Sequence, residues 1–205
     1  MDEFDARQEL LFIRKVIDDG RTALGHDGKA MIVWGAIVVA GMIAMFLSVS
    51  LTLGVNYLIL WGVLIGAGWI FTLFFDVSAR RKARFSTFGG RVVSQLWLGC
   101  GIVMTVVGFV TPLVGALKPW AIIPIMSLIL GIAYLVTGAV YDDRWIRFSS
   151  VAWWLSGIIM LVWPGVYMFL VFASLVIAFQ IVPGVRLFKQ WKARQGTDRP
   201  AVAAQ

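Results

Sequence analysis

Asp76, Asp142 and Asp143 are the residues whose type and position best suit chemistry, because each follows directly on a long apolar run and so sits where a lipid headgroup would be. Paired carboxylates in that position would hold a divalent cation through oxygen ligands and use it to polarise a phosphoryl group. The pattern stops short of that chemistry: no D-x-x-D cluster and no second acidic motif lies nearby. Asp142 and Asp143 stand beside Arg144 and Arg147, and charge balance with those arginines or with the basic run near Arg80 is their expected role.

The other reactive residue types lead nowhere further. His26 has no carboxylate or cysteine at ligand spacing and reads as a solvated histidine beside a span. Cys100 is the single cysteine, so an intramolecular disulfide is excluded, and a small core residue is expected there. A haem would need axial ligands inside the apolar runs, and the one histidine lies outside them. No cofactor and no metal is expected. No Asp, Glu, Lys, Arg or His falls within any predicted span, which argues against a proton-driven transporter. Asn56, Thr72, Gln95, Thr105, Ser127, Thr137, Ser156, Ser174 and Gln180 would be able to line a narrow path, but hydroxyls in spans usually bond to nearby backbone.

These residues must be positioned by helices in a bilayer. Hydrophobic residues make up 60% of the 205-residue chain and charged residues only 14%, far from the balance of a water-soluble domain. The apolar residues fall into runs of roughly 20, the length a helix needs to cross hydrocarbon. Spans are predicted at about Ala30 to Leu53, Val55 to Phe75, Val92 to Leu113 and Trp120 to Tyr141, followed by a hairpin over Phe148 to Val185 that breaks at Trp163-Pro164-Gly165. A five-span alternative would make Trp153 to Ile181 one kinked helix, and it would put the basic tail on the wrong side. The fold class is therefore an all-α polytopic membrane protein with six transmembrane helices.

Charge sets the orientation. Of the 18 lysines and arginines, all but Lys118 fall before span one, between spans two and three, between spans four and five, or in the tail from Arg186. The positive-inside rule then puts both termini in the cytoplasm. This asymmetry accounts for the net charge of +7, so nucleic acid need not be invoked, while anionic lipids remain an expected partner at that face.

Ahead of the spans lies a polar segment, residues 1–29, in which Leu10, Ile13 and Ile17 follow helical spacing and form an apolar stripe. Asp2 to Asp19 reads as a cytoplasmic amphipathic helix ended by Gly20. Its segment is acidic, whereas surface helices that bind anionic lipid are usually basic. Docking on the protein's own basic loops or on a protein partner is the expectation.

Internal similarity organises the spans. Trp97 to Met104 and Trp153 to Met160 share W-x3-G-I-[V/I]-M, and Gly66 to Trp69 and Gly131 to Tyr134 share G-x-x-[W/Y]. Arg84-Phe85-Ser86-Thr87 and Arg147-Phe148-Ser149-Ser150 precede comparable helices, so three two-helix hairpin repeats are the simplest account. Gly62 with Gly66, Gly101 with Gly108, and Gly131 with Gly138 each put small residues on one helix face and read as packing seams within the bundle or in a homo-oligomer.

Three successive two-helix repeats, with Val162-Trp163-Pro164-Gly165 at a turn, resemble the HdeD-like family of small bacterial six-span membrane proteins over about residues 31 to 185. The resemblance implies a bacterial inner-membrane protein, linked in some members to acid resistance, and supplies no catalytic residues. The expected function is non-enzymatic and works through protein contacts, as an accessory, assembly or stress-response component. A small channel or facilitator for a neutral or apolar solute is the alternative.

Overall fold

The computed structural model describes residues 28–80, 88–189 and 192–193, and every regular element among them is a helix. The predicted amphipathic helix Asp2 to Asp19, with Leu10, Ile13, Ile17 and His26, lies outside the described residues. Six helices are long and apolar enough to cross a membrane: α1 (Gly28–Ser50), α2 (Tyr57–Arg80), α3 (Phe88–Thr105, continuing to Val114), α4 (Pro119–Val140), α5 (Arg144–Val162) and α6 (Tyr167–Val176, continuing to Lys189). That is the composition of a multi-pass membrane protein, in which each helix satisfies its own backbone away from water. The final hairpin is two helices, and the Trp163-Pro164-Gly165 break separates them.

The turns follow from their residues. Thr52 takes a left-handed conformation after α1, and Leu53 N–H closes the turn on the Ser48 carbonyl at 3.0 Å. Asn56 then starts α2 by accepting the N–H groups of Leu58 and Ile59 at 2.9 and 3.2 Å. Gly115, at φ +67°, ends α3 where a side chain would be strained, and Ala116 N–H reaches back to Thr111 O at 3.0 Å. Pro119 opens α4 at a position where a missing N–H costs nothing.

Two helices widen into π-turns, Val106–Val110 in α3 and Ile177–Ile181 in α6, and each turn ends two residues before a proline, Pro112 and Pro183. In α3 the accounting can be followed atom by atom. Thr111 N–H bonds to Val106 O, which leaves Val107 O to the Thr111 hydroxyl at 2.6 Å. Gly108 O, which the proline ring cannot serve, accepts the Tyr57 hydroxyl from α2 at 3.1 Å.

α4 packs most closely against α5, α3 lies against α4, and α6 meets both α4 and α5 before its end returns to α1. Gly28 at the start of α1 lies against the backbone of Gly184 and Phe188, so the two ends of the described bundle are side by side. The core is built from Met42 of α1, Tyr134 and Leu130 of α4, Trp153 and Met160 of α5, and Phe172 and Val176 of α6. α4 is the most enclosed helix, with 61% of its apolar window buried, against 11% for α2 and 6% for α3.

Candidate functional site

The three aspartates come apart on inspection. Asp142 (φ 49°) is the left-handed residue that ends α4, and Asp143 is the N-cap of α5, accepting from Trp145 and Ile146 N–H at 2.8 and 3.0 Å. Asp142 also pairs with Arg147 at 2.9 Å, in an exposed position. Both residues serve the short α4–α5 link. Asp76 belongs to the final turns of α2, on a different helix pair. Among the described residues no group of three or more His, Cys, Asp or Glu comes together.

The polar residues within the spans are mostly engaged locally. Besides Asn56 in its cap, Thr105 bonds to Gly101 O at 2.7 Å, and Gln180 reaches Met31 O of α1 at 3.3 Å. Ser127 donates to Trp153 O at 2.7 Å while Ser156 bonds to the same carbonyl at 2.9 Å, the two hydroxyls lying 3.0 Å apart. Gln95 and Ser174 are exposed on the outer surface of α3 and α6. Among the described residues, Ser127 with Ser156 is the one pair of this set joined by a hydrogen bond.

Thr72 and Thr137 belong to a feature that sequence reasoning missed. Trp34 of α1 donates its indole N–H to Thr72 of α2 at 3.0 Å and sets its ring edge-on to Trp69, centroids 6.1 Å apart at 85°. Trp97 of α3 does the same in the next hairpin, donating to Thr137 of α4 at 3.1 Å and meeting Tyr134 at 5.6 Å and 82°. In both cases the threonine stands three residues after the aromatic, one helical turn along the same face. Trp153 of α5 stacks on the other side of Tyr134 at 5.8 Å and 23° and meets Phe172 of α6 at 5.3 Å. Leu175 stands three residues after Phe172, and the Trp153 indole N–H has no hydrogen-bond partner among the described residues. The signal was present: W-x3-G-I-[V/I]-M and G-x-x-[W/Y] contain Trp97, Trp153, Trp69 and Tyr134.

The glycines divide into two groups. A methyl group on Gly131 would fall 2.1 Å from Trp154 Nε1, and one on Gly138 would fall 2.4 Å from Arg147 N, so both lie where α4 and α5 press together. Gly108 is buried near Met126 and Tyr57. Among the described residues nothing lies within 4 Å of such a methyl at Gly62, Gly66 or Gly101, so no seam forms there at those three positions. The reason is the peripheral placement of α2 and α3, whose glycine faces point away from the other helices. Cys100, in the same stretch of α3, is half-buried.

At the end of the bundle where the described termini meet, α1 and α6 frame an open cleft of about 470 Å³. It is lined by Ile32, Val185, Phe188, Lys189, Lys192 and Ala193. Lys29 lies over the Phe188 ring at 5.2 Å. Compared with protein-family models, curated proteins and solved structures, the chain finds no match.

Proposed function

We propose that the protein is a non-enzymatic component of the bacterial inner membrane, with both termini cytoplasmic, that works by making contacts with another membrane protein or a second copy of itself. The observation that carries this reading is the uneven burial of the bundle. Of the apolar stretches of α2 and α3 only 11% and 6% is buried, against 61% in α4, and the thinly covered pair carries Gly62, Gly66 and Gly101 on faces open among the described residues. Between helices in lipid, association depends on close backbone approach, and small residues permit it. Three two-helix repeats account for the duplicated Trp–Thr arrangement, and in that account the first two hairpins keep the clasp and the third does not. The channel reading finds less support, because Trp153, Ala133, Ser127 and Met160 fill the middle of the bundle at 0% exposure. Asp142 and Asp143 are engaged as ion-pair partner and helix cap, which favours the non-enzymatic reading. The resemblance to HdeD-like proteins is compatible with a stress-response setting.

The test is the mass of the particle released from its native membrane by a mild detergent. The expected result is a defined assembly heavier than one 22.7 kDa chain with its detergent, broken by Gly62→Leu with Gly66→Leu. A monodisperse monomer from the unaltered chain, or solute flux in liposomes, would count against it.

A further inference from the structure

We propose that the cleft between α1 and α6 is the seat of this chain's own N-terminal segment, with Leu10, Ile13 and Ile17 on its apolar residues and Asp18 and Asp19 beside Lys189 and Lys192. The inference stands apart from the intramembrane reading above, and holds whether α2 and α3 meet another helix or only lipid.

The cleft has two chemical characters. Its lining joins the apolar Ile32, Val185, Phe188 and Ala193 to the exposed Lys189 and Lys192. Residues 182–193 include Arg186 as well as those lysines and contain no acid. A fitting occupant is therefore apolar along one stripe and negative beside it. Residues 1–27 are net acidic, with seven acids against four bases, and carry Leu10, Ile13 and Ile17 at helical spacing.

Tethering adds to the match. Gly28 is pressed against Gly184 and Phe188, with a Cβ there only 2.8 Å from Gly184 O, so the chain enters α1 at the edge of the cleft. Residues 20–27 would reach at most about 28 Å when extended, ample for a preceding helix to fold back. A short tether holds its end at an effective concentration in the millimolar range, so even weak docking is populated.

The competing occupant is an anionic phospholipid, whose headgroup would take the lysines and whose chain would cover the apolar residues. The chain's own segment is favoured because it is net acidic: an anionic leaflet repels it, while the lysines attract it.

The experiment uses the full chain with Cys100→Ser, in nanodiscs of neutral phosphatidylcholine. Ile13→Cys is paired with Val185→Cys in the cleft, or with Ile59→Cys near the opposite end as the control, and a short bifunctional thiol reagent joins them. The expected result is an intramolecular link that forms at least about fivefold faster in the cleft pair, consistent with local capture by a tether. Lys189→Glu with Lys192→Glu should lower that rate, and adding Asp18→Lys with Asp19→Lys should restore it. An independent readout needs no charge variant: alkylation of Val185→Cys should quicken by a similar factor when residues 2–19 are removed. Equal rates for the two pairs, or links formed only between copies, would overturn the proposal. So would alkylation that ignores the deletion and slows only when phosphatidylglycerol is added, which would identify lipid as the occupant.

Discussion

Trp97 donates its indole N–H to the Thr137 hydroxyl across the α3–α4 boundary at 3.1 Å, and Trp34 makes the same bond to Thr72 across α1–α2 at 3.0 Å. In lipid such a bond is worth about 0.6 kcal/mol on average and rarely more than about 1.7. Thr137→Val keeps the shape and removes the acceptor. The expected loss is about 1 kcal/mol in unfolding by SDS from mixed micelles, with Thr137→Ser recovering most of it. Thr72→Val should behave alike. A loss at one site and none at the other would mean that the two geometries are not energetic equivalents.

The glycines give a sharper contrast. Gly138→Ala would drive a methyl into the Arg147 backbone, which cannot swing aside, whereas Gly62→Ala and Gly101→Ala meet nothing within 4 Å among the described residues. Overpacking of this kind costs about 1–3 kcal/mol, and the contact with the α5 backbone places Gly138→Ala at the upper end. The open positions should stay within about 0.5 kcal/mol of the unaltered chain, as surface positions usually do. Unfolding curves for the three variants would decide it.

This contrast also marks where the sequence stopped being informative. Span length and number follow from hydropathy, since a bilayer imposes a length on every helix, and Pro164-Gly165 cannot continue one. Which face of a span meets protein does not follow, because lipid and core are equally apolar and no amphipathic stripe separates them. Gly131 and Gly62 therefore look alike in sequence and differ in the fold. An asparagine directly before an apolar helix is an N-cap signal, and at Asn56 it is hidden when the span is started two residues early, at Val55. Asp142 pairs with Arg147 as its sequence neighbours suggest, whereas Asp143 caps α5, and both turn roles depend on backbone angles that composition does not reveal.

Those two aspartates should separate cleanly on substitution. Asp143→Ala removes the cap from two N–H groups of α5 and should cost about 1 kcal/mol. Asp142→Asn gives up an ion pair to Arg147 in which the aspartate is 94% exposed, and keeps a residue type that tolerates the left-handed conformation. Its cost should lie within about 0.5 kcal/mol and shrink further in high salt. A larger effect at Asp142 than at Asp143, by thermal or SDS unfolding, would contradict the geometry.

The last case couples a hydroxyl to a proline on another helix. Pro112 has no N–H to give Gly108 O, and Tyr57 fills the gap from α2. Tyr57→Phe alone should leave that carbonyl unserved and cost about 1–2 kcal/mol. Pro112→Ala supplies an N–H four residues after Gly108, which lets the π-turn relax toward an ordinary helix with the carbonyl satisfied internally. In that background the tyrosine hydroxyl is no longer needed, and Tyr57→Phe should cost clearly less. A double-mutant cycle measures the difference, and neighbours that share a partner are expected to couple by about 0.5 kcal/mol or more. Additive effects would show that Gly108 O finds another donor once Tyr57 is gone, and that the proline, rather than the tyrosine, sets the shape of α3.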